Sequence, residues 1–153
     1  MSMLEIKIAG DPVLRTKAEK VTKFDKKLVH LLKEMAATMY MANGCGLAAP
    51  QIGLSKRIVV IDTGEGIIEM INPEIIEKKG SVIGLEGCLS VPQYEGDVER
   101  AEFVTVKYQD RKGKEIVEKA EGLFAIAIQH ETDHLNGVLF IDKAITLKPK
   151  EQV

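Results

Sequence analysis

In the first third of the chain, Leu28, Leu31, Leu32, Met35 and Met39 recur at helical spacing and fall on one face. That recurrence predicts an amphipathic helix with Asp25 as its N-cap and Gly44 as its stop. The two methionines suit irregular core packing better than a cofactor site. Before the helix, Ile6-Lys7-Ile8 alternates and predicts a short strand, which turns at Gly10-Asp11-Pro12. Beyond it the period shortens. Residues 57–62 are rich in β-branched side chains, as a strand requires. Residues 67–71 and 74–83 predict further strands, with breaks at Asn72-Pro73 and Gly80-Ser81. Residues 103–108 alternate clearly and turn through 110–114 into 115–119, which predicts a hairpin. The run from Leu123 to Ile128 is apolar almost all round, and Asn136-Gly137 offers a stop. This pattern predicts a buried helix. The elements together predict an α+β fold: short, mainly antiparallel sheets around a buried C-terminal helix, with an amphipathic helix near the N-terminus.

Composition narrows the picture. A chain of 153 residues is expected to form one domain over residues 1–153 and to bury roughly two-thirds of its unfolded surface. An apolar fraction of 45% with 29% charged residues is that of an ordinary soluble globular protein. The net charge of −2 argues against nucleic acid or an acidic membrane surface as a partner. No apolar run has the length of a membrane span, and the opening MSMLEIKIAGDPVLR has neither secretion nor transit features. The expected location is therefore the cytoplasm, where Cys45 and Cys88 are thiols by default.

The chemistry concentrates at Gln129-His130-Glu131-Thr132-Asp133-His134. Two histidines four apart on a helix share a face, so both imidazoles can reach one metal ion. The intervening Glu131 can then reach a water beside it, which is the HExxH arrangement of metal-dependent hydrolases. His30, the remaining histidine, falls in the helical pattern as a solvated or capping residue. A catalytic zinc-type site needs a third protein ligand. The metzincin scheme fails, because Phe140 stands where its third histidine would be. The thermolysin scheme finds only Glu151, two residues from the end. The search moves upstream, where a thiolate is the strongest candidate. Cys45 and Cys88 both qualify, and neighbouring Glu86 and Ser90 favour the second.

A further stretch, Gly44-Cys45-Gly46-Leu47-Ala48-Ala49-Pro50-Gln51-Ile52-Gly53, has side chains small enough for close backbone approach. Such a segment can pair with an extended ligand as an edge strand does, or pack tightly on a helix. Spacing does not separate the two.

Three motifs now stand in order: GCGLAAPQ at 44–51, EGCLS at 86–90 and QHETDH at 129–134. Together with Asp11-Pro12-Val13-Leu14-Arg15 and Leu139-Phe140, they make the chain resemble the bacterial-type peptide deformylases over nearly its whole length. The resemblance implies a hydrolase that removes the N-formyl group from N-formylmethionyl nascent polypeptides and releases formate. It implies Cys88, His130 and His134 as ligands of one divalent ion, with Fe2+ the family's usual physiological ion and Zn2+, Ni2+ or Co2+ as substitutes. Glu131 becomes the acid/base, and Gln51 with the Leu89 backbone N–H the oxyanion donors. The substrate is expected to add as a strand along Gly44, Cys45, Gly46 and Leu47, with Cys45, Leu123, Ile126 and Ala127 lining the methionine pocket. Arg100 and Asp133 are candidates for orienting the ligands or Glu86, or for a plain surface ion pair. Ala101 departs from the proline that many members carry nearby. Expected partners are nascent chains, with transient ribosome contact, no membrane and no direct nucleic-acid binding. Two rivals are a metallopeptidase or amidase of other specificity and a non-catalytic relative that binds metal or peptide. The latter should lack Glu131 or Gln51, and both are present.

Overall fold

The computed structural model describes residues 4–150. Helix α1 (Lys26–Met41) begins where the sequence predicts it. Asp25 accepts a hydrogen bond from the Leu28 N–H at 3.0 Å, and Leu28, Leu32, Met35 and Met39 are buried. It ends earlier than expected, because Asn43 takes the left-handed turn (φ 58°) and the Gly44 N–H returns to the Met39 carbonyl. His30 is exposed and pairs with Glu34 at 2.9 Å.

Five strands form one antiparallel sheet: β1 (Gly46–Ala48), β2 (Ile58–Ile61), β3 (Ile68–Lys79), β6 (Phe103–Gln109) and β7 (Glu115–Glu121), in the order β1-β2-β3-β6-β7. Strands β4 (Val82–Cys88), β5 (Val91–Arg100) and β8 (Ala144–Pro149) form a second, in the order β4-β5-β8. The larger sheet lies between the two helices. On β2, Ile58 and Val60 pack toward α1 with Leu32 and Met35. Val59 and Ile61 face Ala125 and Ile128 of α2 (Gly122–Leu135). A strand covered on both faces is apolar at every position, which is why residues 58–61 carry no alternation. Under the smaller sheet, Leu14, Val91, Val98, Leu139 and Phe140 form a third buried cluster.

Four expectations need correction. Ile6-Lys7-Ile8 is not a strand; its bonds go outside the sheets, with the Lys7 N–H on the Gln51 carbonyl and the Ala9 N–H on that of Ser90. Asn72-Pro73 does not break β3. Asn72 has φ 55°, the register shifts between Ile71 and Glu74, and the Asn72 side chain ties down Val21 and Gln109. A bulge absorbs a proline that a regular ladder would reject. Strands β5 and β8 go beyond the sequence reading, because their exposed, charged residues show no apolar stripe. Finally, the buried helix is open at its start: Leu123 is 58% exposed and faces a cleft.

The end of α2 is as expected. Asn136 caps it, and Gly137 follows at φ 76°, where a side chain would strike the Arg15 carbonyl. Gln129 joins the helix to the end of β5. Its amide accepts from the Ala101 N–H and donates to the Ala101 carbonyl, both at 2.9 Å. Alanine at 101 keeps the N–H that this pairing uses. No helix among the described residues is long and apolar enough to cross a membrane.

Candidate active site

Helix α2 brings His130 and His134 together, with ring centroids 5.1 Å apart. Cys88, the last residue of β4, meets them from the smaller sheet: its Sγ lies 3.3 Å from His134 Nε2. One donor atom from each of Cys88, His130 and His134 lies within 4.8 Å of the others, and Cys45 is outside the group. Glu151 is outside the described residues. A soft thiolate and two imidazoles suit a divalent transition metal, and this convergence of donors is what such an ion would require.

A buried charge network holds the cluster in place. Glu86, two residues before Cys88 on β4, meets His130 Nδ1 at 2.8 Å. Arg100 from β5 donates to both Glu86 oxygens at 2.8 Å and to Asp133 at 2.6 Å. Lys143 reaches Asp133 from outside. Arg100 is only 5% exposed, so this is no surface ion pair. Burial alone would raise the Glu86 carboxyl, but its bonds to Arg100 and His130 prevail and hold it at about 2. Glu86 therefore stays ionised and fixes Nδ1 of His130 as its donor, which turns the other ring nitrogen toward the cluster. Phe140 stacks behind His130 with centroids 6.2 Å apart.

Glu131 is in a different environment. Burial pushes its carboxyl up to about 7, and its Oε1 has no hydrogen-bond partner among the described residues. His134 Nδ1 is likewise buried without one, and burial, together with the His130 charge, drives the His134 pKa well below its ordinary value. Gln51, in the 3-10 turn Ala49–Ile52, accepts from the Ala48 N–H at 2.9 Å. Its amide nitrogen is thereby aimed at Ser90 Oγ (3.2 Å) and Cys88 Sγ (3.7 Å).

Gln51, Glu86, Cys88, His130 and Glu131 line a cleft of about 720 Å³. Gly44, Cys45 and Gly46 form one wall, the β4 residues from Gly84 to Cys88 with Leu89 the other, and Leu123, Ile126, Ala127, His130 and Glu131 of α2 the floor. Each wall belongs to a sheet edge, β1 on one side and β4 on the other. The Leu47 side chain is fully buried in the α1 core, which leaves its backbone for the edge. Leu85, Pro92, Asn43 and Lys150 also line the cleft. Asn43 adjoins the Gly44 motif in sequence, whereas Leu85, Pro92 and Lys150 arrive through the pairing of β4 with β5 and of β5 with β8.

The family model for polypeptide deformylase matches residues 3–150. The chain belongs to that family. It is 58% identical to the peptide deformylase of Halothermothrix orenii over 149 residues, covering 96% of this chain and 97% of that one. The crystal structure of peptide deformylase from Thermotoga maritima superposes with a TM-score of 0.94 at 46% identity, covering 95% of this chain and all of the other. That of the Synechococcus elongatus deformylase in complex with actinonin gives 0.91 at 45% identity, with coverage of 94% and 79%. Deformylases are metal-dependent, and the cluster of Cys88, His130 and His134 is where this member can hold an ion.

Proposed function

We infer that this chain is a metal-dependent hydrolase that removes the N-formyl group from N-formylmethionyl nascent polypeptides and releases formate. The observation that carries this reading is the meeting of three motifs in one cleft: the cluster of Cys88, His130 and His134, with Glu131 and Gln51 beside it. Cys88, His130 and His134 would hold a single divalent ion, ferrous iron in the cell. When bound, such an ion lowers the pKa of a coordinated water toward neutrality and polarises a carbonyl.

The protein's own groups account for the rest. Glu131 takes the proton of the attacking water and passes it to the departing amine. A carboxyl held at about 7 can do both near neutral pH. As the formyl carbon becomes tetrahedral, negative charge grows on its oxygen. The Gln51 amide and the Leu89 backbone N–H are the donors for it, and such donors are typically worth ~3–4 kcal/mol each. The peptide adds as a strand between the free edges of β1 and β4, where unpaired backbone groups await a partner. The Gly44, Cys45, Gly46 and Leu47 backbone forms the first of these edges. Cys45, Leu123, Ile126 and Ala127 enclose the methionine side chain. The reading places the enzyme in the cytoplasm, where formylated chains arise and ribosome contact is possible without a membrane. The test is hydrolysis of formyl-Met, acetyl-Met and unmodified Met peptides by the metal-loaded protein. Preference for the first is expected, and comparable cleavage of all three would overturn the assignment.

A further inference from the structure

Gly46 and Glu131 are in closer contact than any side chain at position 46 would allow. An ideal Cβ built on Gly46 would stand 2.5 Å from Glu131 Oε2, 2.9 Å from its Cδ and 3.0 Å from its Cγ. The backbone does not demand glycine there. Gly46 lies in β1, opposite Ile61, and is absent from the glycines with positive φ. Its missing side chain therefore answers to the contact alone.

Glu131 needs such a neighbour. It is 4% exposed, and no hydrogen bond from the described residues orients Oε1. Glu86, by contrast, is held through both of its oxygens. A buried carboxylate without a hydrogen-bonded orienter is placed by the shape of its slot. We propose that Gly46 is a positioning residue: its absent side chain forms the slot that fixes the Glu131 carboxylate against the reacting formyl group. This rests on the deformylase reading and on Glu131 as its acid/base. It assigns to the side-chain position of Gly46 a role separate from any pairing of its backbone with the peptide.

A methyl group at 46 must displace the end of a flexible side chain rather than backbone. The cost should then fall on turnover more than on folding. For Gly46→Ala, kcat is expected to fall by roughly ten- to a hundredfold, as for ångström-scale misplacement of a reacting group, with KM within about twofold and full metal content. In a Glu131→Ala background, whose truncated side chain vacates the space, the same substitution should have little further effect on the residual turnover. A KM that rises as kcat falls, or effects that multiply in the double variant, would overturn the proposal. If Gly46→Ala folds poorly, the melting temperature of Gly46→Ala/Glu131→Ala decides: recovery supports the contact and no recovery refutes it. Failure of the unsubstituted enzyme to prefer formyl-Met peptides would remove the functional reading itself, a result distinct from these.

Discussion

Glu86 and Glu131 are both buried carboxyls of the same cleft, yet their charges are set in opposite directions. Arg100 and His130 hold Glu86 down at about 2, whereas burial without an orienting partner carries Glu131 to about 7. One is a permanent anion that orients a ring, and the other can exchange a proton. Glu131→Ala should therefore keep its metal, measured by elemental analysis, and lose turnover by ~10²–10⁴-fold. Substantial activity in that variant would point to another base. The two cysteines should separate as clearly. Cys88→Ser should lose metal on dialysis, because a hydroxyl replaces a thiolate in the donor cluster. Cys45→Ser should retain it, since Cys45 is a wall of the cleft. The reverse result would exchange their roles.

The elements differ in how much of themselves the sequence carries. Helix α1 is local in cause, with a cap at Asp25 and an apolar face at regular spacing. Asp25→Ala should cost about 1 kcal/mol, read as a lower urea midpoint with unchanged slope. Deformylase activity at low temperature should be unaffected, since the cap lies at the end of α1 away from the cleft residues Asn43 and Gly44. Strand β2 was legible because both its faces are buried, and the hairpin of β6 and β7 because it alternates. β5 and β8 were not. Pro92, Gln93, Glu95 and Lys148 have no apolar stripe, and although β5 pairs with its sequence neighbour β4, its other edge is taken by the distant β8, with Asp97 opposite Thr146. Asn72-Pro73 misled for a related reason: a local breaker was overruled by tertiary bonds from Val21 and Gln109 to one side chain.

At the scale of the molecule, the larger sheet with its helices and the smaller sheet meet at the cluster of Cys88, His130 and His134. The Glu86–Arg100–Asp133 network ties β4 and β5 to α2. Glu86 has a folded pKa of about 2 against an ordinary 4.5. A depressed carboxyl stabilises the fold above its unfolded pKa, and that contribution is lost as pH falls through the folded value. Stability should thus decline between pH ~4.5 and ~2, by on the order of 3 kcal/mol from this group. Urea titrations at pH 6, 4 and 3 test this. Glu86→Gln should start lower, with Arg100 left half-paired, and vary less with pH over that interval. A slope equal to that of the unsubstituted protein would mean that other carboxylates dominate.

The sequence alone determined the helix with its two histidines and Glu131, because a period of 3.6 places residues four apart on one face whatever the rest of the chain does. It also determined the α+β class, through capped helical spacing and short β-branched runs. What its spacing left open was the third donor, since Cys45 and Cys88 are both flanked by glycine and neither spacing relates them to α2; the family resemblance pointed to Cys88. The tertiary structure brings Cys88, and not Cys45, beside the two histidines. The pairing of β4 with β5 carries Cys88 to His134 and sets Glu86 and Arg100 behind His130. The tertiary structure also gave GCGLAAPQ its double character, a free sheet edge and a packed face against α2. Contacts between residues some 40 to 85 positions apart obey no local period, so they appear only when the chain is folded.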